Sequence, residues 1–145
     1  MTVRKGTYVL FVTFDRDINI TVGAKGPHFF AAGTYCYVGS AMAGLDQRLK
    51  RHLAHEKCLK WHIDFLTVSC DRSEAWESYP DFIPECDLAH LVEECGGVPE
   101  MDGFGCSDCD CRTHLFRVSQ TVCEKVVSSG HLHRHLAGAD DQTIN

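Results

Sequence analysis

Hydrophobic and polar positions change their period several times along the chain. Gly6–Phe14 (GTYVLFVTF) is dense in β-branched and aromatic side chains and reads as a strand. Asp15, Arg16 and Asp17 make a polar turn, and residues 18–22 alternate as a second, half-buried strand does. Residues 23–27 form a loop or a bulged hairpin. Residues 34–38 (TYCYV) form a further strand, stopped by Gly39 and Ser40, so the stretch up to residue 40 is expected to be antiparallel sheet. Leu45, Leu49 and Leu53 then recur every four residues, the stripe of an amphipathic helix starting near Gly44. Residues 60–68 (KWHIDFLTV) fit a short helix or a strand, with Trp61, Phe65 and Val68 closer to helical spacing. Residues 74–79 alternate and read as a strand. Pro84 stands where helices start, Glu85 falls in the first turn, Leu88, Leu91, Val92 and Cys95 supply an apolar face, and Gly96 and Gly97 end it.

Residues 98–112 form a Gly-, Asp- and Cys-rich loop, which in a compact domain is functional, disordered or tied down. Residues 114–118 (HLFRV) close as a last strand. From Cys123 the sequence weakens into Ser, Gly and His, and residues 139–145 read as a frayed tail. The expectation is an α+β fold: a small antiparallel sheet flanked by helices, with an extra hairpin element and a Cys-rich loop at 98–114. One domain covers 1–122, and 123–145 is a partly disordered C-terminal extension.

Composition changes this picture in three places. With 145 residues, 44% hydrophobic and 23% charged, the chain can bury one real core, and no apolar run is long enough to span a bilayer. The N-terminus lacks the blocks of a secretory signal, so a cytoplasmic location with no membrane partner is expected. Nine cysteines in such a chain are expected to be reduced, some of them as metal ligands. The net charge of −6 disfavours a polyanion binder unless a local basic patch exists, because phosphate neutralisation supplies most nucleic-acid affinity. Arg48, Lys50, Arg51, Lys57 and Lys60 crowd one short stretch, which reads either as such a patch or as a solvated helix face.

Three features fit a plain core poorly. Tyr35 and Tyr37 share one sheet face, Tyr8 sits in the opening strand, and Gly39 after Tyr37 permits a close approach by a ligand or another backbone. Half-buried packing is the bland account of each phenol. Arg48 and His52 are one turn apart at the rim of the leucine stripe, where they face a cleft or simply water. Glu85 shares its helix face with Leu88, Ala89 and Val92, an aim that calls for a cation or an arginine unless the carboxylate leans into solvent at the helix start. Cys106, Cys109, Cys111 and His114 form C-x2-C-x-C-x2-H, four soft ligands that suit Zn²⁺. The tight C-x-C step is unusual for a closed site, and Cys86 is an alternative ligand. Metal-free thiols and a dithiol redox site are the competing readings.

The order of these features resembles a known pattern. Gly6-Thr7-Tyr8 and Tyr37-Val38-Gly39 are similar to the two motifs of the GIY-YIG nuclease superfamily, and GLDQRLKRHL, with Arg48 and His52, to the helix that follows them. Glu85 opens a later helix, where that superfamily keeps its metal-binding glutamate. GTYCYVGSA, KWHID, Glu85-Cys86 and FGCSDCDCRTHLF further resemble the Uri-type endonuclease branch, and the resemblance covers 6–118. Thr7 stands where an aliphatic residue is usual, the interval between the tyrosine motifs is long, and the helical arginine is displaced by about one residue, which makes Arg51 the alternative to Arg48.

The resemblance implies a GIY-YIG-like fold and metal-dependent hydrolysis of DNA phosphodiesters, in repair or in processing of structured DNA. Glu85 would hold Mg²⁺ or Mn²⁺. Tyr37 would activate water, with Tyr8 positioning it or sharing the proton, which calls for phenols perturbed by nearby cationic charge. Arg48 would pair with phosphate, and His52 would contact phosphate or move a proton. Arg51, Lys57, Lys60 and His62 would bind substrate. The acidic net charge points to a protein partner or a homodimer for the rest of the footprint. The alternatives are a non-catalytic nucleic-acid-binding module of the same fold, or a small zinc-stabilised interaction or redox protein using the Cys-rich loop.

Overall fold

A computed structural model describes residues 3–55, 57–106 and 109–136. In chain order the elements are β1 (Gly6–Phe14), β2 (Ile18–Thr21), β3 (Pro27–Phe30), β4 (Gly33–Ala41), α1 (Leu45–Leu53), α2 (His62–Thr67), β5 (Arg72–Glu77), α3 (Glu85–Glu94), β6 (Val98–Pro99), β7 (Leu115–Val118), α4 (Gln120–Ser129) and β8 (His133–Arg134). Among these residues the fold is α+β, with a six-stranded antiparallel sheet in the order β6-β7-β4-β1-β5-β8 and a separate β2-β3 hairpin. No helix among them is long and apolar enough to cross a membrane.

β1 is nearly continuous in apolar residues because helices cover the sheet on both sides. Alternate side chains go to opposite faces. Tyr8, Leu10, Val12 and Phe14 join Tyr35 and Tyr37 of β4 in a core with α1, α2 and the hairpin, whereas Val9, Phe11, Cys36 and Val38 join Leu88, Val92, Cys123 and Val126 on the other face. In α1, Leu45 and Leu49 are fully buried, each contributing about 1.5–3 kcal/mol by area, while Leu53 is partly covered. Residues 60–68, which fitted either period, hold the helix α2, whose first turn is built on Asp64: Oδ2 accepts from the backbone N–H of Lys60 at 2.7 Å and of Trp61 at 2.8 Å.

Several expectations need correction. The first forty residues do not form one sheet, because β2 and β3 pair apart from it as the expected extra hairpin element. β4 does not stop at Gly39 but runs to Ala41, because Gly39 still pairs with Tyr8 of β1. The loop after α3 contains the two-residue strand β6, paired with β7. The domain boundary expected after residue 122 falls inside α4, a helix the Ser-, Gly- and His-rich composition concealed. Ser119 caps it by accepting from the N–H of Val122, and Cys123 and Val126 are buried under it. β8 then adds to the sheet edge, so the chain is structural through 134, and the expected frayed tail lies outside the described residues.

Candidate active site and metal cluster

Between α1, α2, the end of β4, the start of α3 and the Cys-rich loop lies a cleft of about 520 Å³. Tyr8 from β1, Tyr37 from β4, Arg48 and His52 from α1 and Glu85 from α3 all line it. The register explains the two tyrosines. Tyr37 pairs with Leu10, so it lies on the same face as Tyr8, and the ring centroids are 6.4 Å apart. Gly39 opposite Tyr8 is required by that packing, since a Cβ there would stand 2.6 Å from Cζ of Tyr8. Gly105 does the same for Tyr37 from the loop side, with φ +71 and a would-be Cβ 2.9 Å from Cε1. The close approach expected at Gly39 is therefore made by the chain's own phenol. Gly39→Ala should lower stability by about 1–3 kcal/mol as Tyr8 is displaced, read as a lower denaturant midpoint. An unchanged midpoint would contradict this packing.

Thr7, where an aliphatic residue is usual in the motif it resembles, is buried with its hydroxyl engaged by Ser78 and by the carbonyl of Ile83. The polar side chain thus ties β1 to the segment leading into α3.

Arg48 is the arginine that faces the cleft. It donates to the carbonyl of Ser40 at 2.8 Å, and its guanidinium lies 4.6 Å from the centroid of Trp61. Arg51 is not available as the alternative. Both of its terminal nitrogens donate to the buried Asp64 at 2.8 Å, and one also reaches the carbonyl of Cys58. Lys57 is committed as well, donating to the carbonyls of Arg51 and His52 at the C-terminus of α1. Arg51 and Lys57 therefore build the wall instead of lining the cleft, while Lys60 and His62 do line it. Nδ1 of His62 accepts from the N–H of Gly105 at 3.3 Å, joining α2 to the Cys-rich loop. Composition did not single out Ser40, Trp61 or Asp64. The available signal was the KWHID run, in which an acidic residue follows two basic ones and an aromatic at cap spacing.

The expected activated phenols are not what the resting cleft holds. Burial pushes both Tyr8 and Tyr37 above the ordinary phenol value, with Tyr37 and Glu85 respectively adding to it and Arg48 opposing. Tyr8 instead hydrogen-bonds Nε2 of His52 at 2.8 Å. His52 is 1% exposed and its Nε2 is engaged by Tyr8, so that nitrogen is not offered to a phosphate. Burial, helped by Lys57 and opposed by Asp64, lowers its pKa to about 3, and Nδ1 stands 3.9 Å from Oδ1 of Asp64 without a hydrogen bond.

The unfolded chain protonates a histidine near 6.5, so this buried neutral ring contributes stability above that pH that is lost as pH falls toward 3. By pH 4.5 the loss from this group should be about 2–3 kcal/mol. Urea unfolding of wild type and His52→Gln at pH 7 and 4.5 checks it. Identical pH slopes would show that His52 does not titrate this way.

Glu85 is half-buried at the N-terminus of α3. Burial alone would raise its pKa, but contacts with His114 and Ser40, and the charge of Arg48, hold it below the usual carboxylate value. Nδ1 of His114 lies 2.9 Å from Oε2 of Glu85, an ion-pair distance, although the ring N–H does not point along that line. The same imidazole presents Nε2 to Sγ of Cys109 at 3.5 Å.

Ligand atoms of Cys86, Cys109, Cys111 and His114 all lie within 4.8 Å of one another, so this group could hold a metal ion. The set corrects the expected one. Cys86, brought in by the first turn of α3, takes the place of Cys106, which lines the cleft and donates to the carbonyl of Phe104. All nine cysteines are free of disulfides. Burial and neighbouring thiols push Cys111 up to about 12, whereas Cys109 is held low despite burial by contacts with Cys111 and the charge of His114.

The model of the family described as "domain of unknown function DUF123" matches residues 7–136. The chain belongs to that family. No curated protein and no solved structure matches it. The DUF123 match extends across α4 and β8, as the packing of those elements against the second core does.

Proposed function

We propose that this DUF123 protein is a Uri-type member of the GIY-YIG nucleases, a cytoplasmic endonuclease that hydrolyses DNA phosphodiesters with Mg²⁺ or Mn²⁺ in repair or processing of structured DNA. The observation that carries the reading is that Tyr8, Tyr37, Arg48 and Glu85, from four separate elements, line one cleft. A structural role alone would not require a half-buried arginine and a half-buried carboxylate to share one cleft with two buried phenols.

The donor set at Glu85 fits a hard cation that keeps most of its water. It offers one carboxylate, about 30% exposed, with the Ser40 hydroxyl beside it. When bound, such a cation supplies Lewis-acid polarisation of the phosphate. Arg48, fixed by Ser40 and Trp61, keeps guanidinium donors for phosphate oxygens as negative charge builds. Lys60 adds a second positive charge at the rim. Tyr37 orients the attacking water. Tyr8, held by its hydrogen bond to Nε2 of the neutral His52, positions that water beside Tyr37. The cysteine cluster is read as a structural zinc site, since three thiolates and an imidazole suit tetrahedral Zn²⁺. With Arg51 and Lys57 committed internally and a net charge of −6, a protein partner or second copy supplies the remaining basic footprint.

The test incubates the full chain with supercoiled plasmid, branched DNA, single-stranded DNA and RNA, with Mg²⁺ or Mn²⁺. Metal-dependent nicking of DNA is expected. Binding without nicking would favour a non-catalytic module of this fold, and neither result would favour an interaction or redox role for the Cys-rich loop.

A further inference from the structure

Glu85 and His114 belong to the cleft and to the cysteine cluster at once. The His114 ring is 1% exposed and has a carboxylate at one nitrogen and a thiol at the other. On a tetrahedral ion with Zn–S about 2.3 Å and Zn–N about 2.0–2.1 Å, a sulfur and a nitrogen ligand lie about 3.5 Å apart. The Cys109–His114 separation of 3.5 Å is that of two ligands of one ion. Cys86 is the residue after Glu85 in the first turn of α3, so the same cluster also grips the backbone that carries the carboxylate.

We infer that zinc bound by Cys86, Cys109, Cys111 and His114 is the positioning centre for Glu85, with His114 ligating through Nε2 and donating Nδ1–H to the carboxylate. Metal-bound histidines commonly give their second N–H to a carboxylate, which fixes tautomer and ring orientation. A small rotation of the ring, fixed when Nε2 is ligated, turns the present 2.9 Å contact into an aligned hydrogen bond. The zinc site thereby holds one carboxylate oxygen and leaves Glu85 oriented toward the cleft. Zinc entry releases the three thiol protons to solvent, and the resulting centre of Zn²⁺ with three thiolates carries one negative charge. Cys106, outside the set, remains a thiol on the cleft wall. The proposal rests on the nuclease reading only for the use made of Glu85. The metal centre and its tie to that carboxylate do not depend on DNA.

The test is therefore made without DNA. Zinc affinity of the full chain is measured by competition with a chromophoric chelator, for wild type and Glu85→Gln. A 10- to 100-fold weaker affinity in the variant is expected, the usual cost of losing such an outer partner. Equal affinities, or a wild type that takes up no zinc, overturn the proposal. If the variant does not fold, ¹⁵N NMR of the zinc-loaded wild type decides: Nδ1-protonated, Nε2-metallated His114 supports it, and the opposite tautomer refutes it. Failure of DNA cleavage with this coupling intact would count against the nuclease reading alone.

Discussion

Glu85→Ala is expected to reduce metal-dependent DNA cleavage by about 10³-fold, because a cation's transition-state stabilisation amounts to several kcal/mol and each 1.4 kcal/mol is about tenfold in rate. The carboxylate is the one acidic group that lines the cleft among the described residues, so no neighbour can replace it. The effect on folding should be smaller. Losing Glu85 leaves Nδ1 of the buried His114 without its counter-charge, at a cost of about 1–3 kcal/mol. Cleavage should therefore be compared at matched zinc content and with unfolding curves in hand. A variant that is folded, zinc-loaded and still cuts at the wild-type rate would remove Glu85 from the mechanism. Arg48 cannot compensate, because its charge would repel the cation that the carboxylate would attract.

The second large effect concerns the cysteine cluster. Purified protein should contain one zinc per chain by elemental analysis, and Cys109→Ser should lose it. Cys109 is the cysteine of the cluster in contact with His114, and its thiol is held low despite its burial. A ligand bound only by the folded state stabilises by about 4 kcal/mol when free ligand exceeds Kd a thousandfold, so the variant and the chelated wild type should unfold earlier by an amount of that order. The main sheet should survive, because Val9, Phe11, Val38 and Val92 belong to the second core, which has no buried member from the loop among the described residues. The cost should fall on the loop following β6 and on the first turn of α3, visible as faster amide exchange there. Zinc-free protein with an unaltered melting transition on chelation would sink the metal reading.

Much of the architecture was legible because period and burial coincide. The helix α1 is legible because its leucines recur every four residues. Two-sided burial of β1 shows as a run with few polar breaks. α4 was hidden because its buried Cys123 and Val126 are interleaved with Ser, Thr, Glu and Lys, and a composition-based reading saw the polar residues first. Its cap, Ser119, and the 3–4 spacing of Val122, Cys123, Val126 and Val127 were present all along.

By itself the sequence determined which residue types were available: two strand tyrosines, a helical arginine at the rim of an apolar stripe, a glutamate at a helix start, and soft ligands in a glycine-rich loop. Local spacing decides such things because it depends only on the geometry of one helix or one strand. Only the tertiary structure decided which groups meet. Arg48 faces the cleft because Asp64, brought in by α2, claims Arg51. Cys86 displaces Cys106 because the start of α3 packs beside a loop more than twenty residues further along, a proximity that no spacing rule encodes. Both phenols are pushed above their ordinary value because the fold buries them, and burial outweighs a single neighbouring arginine.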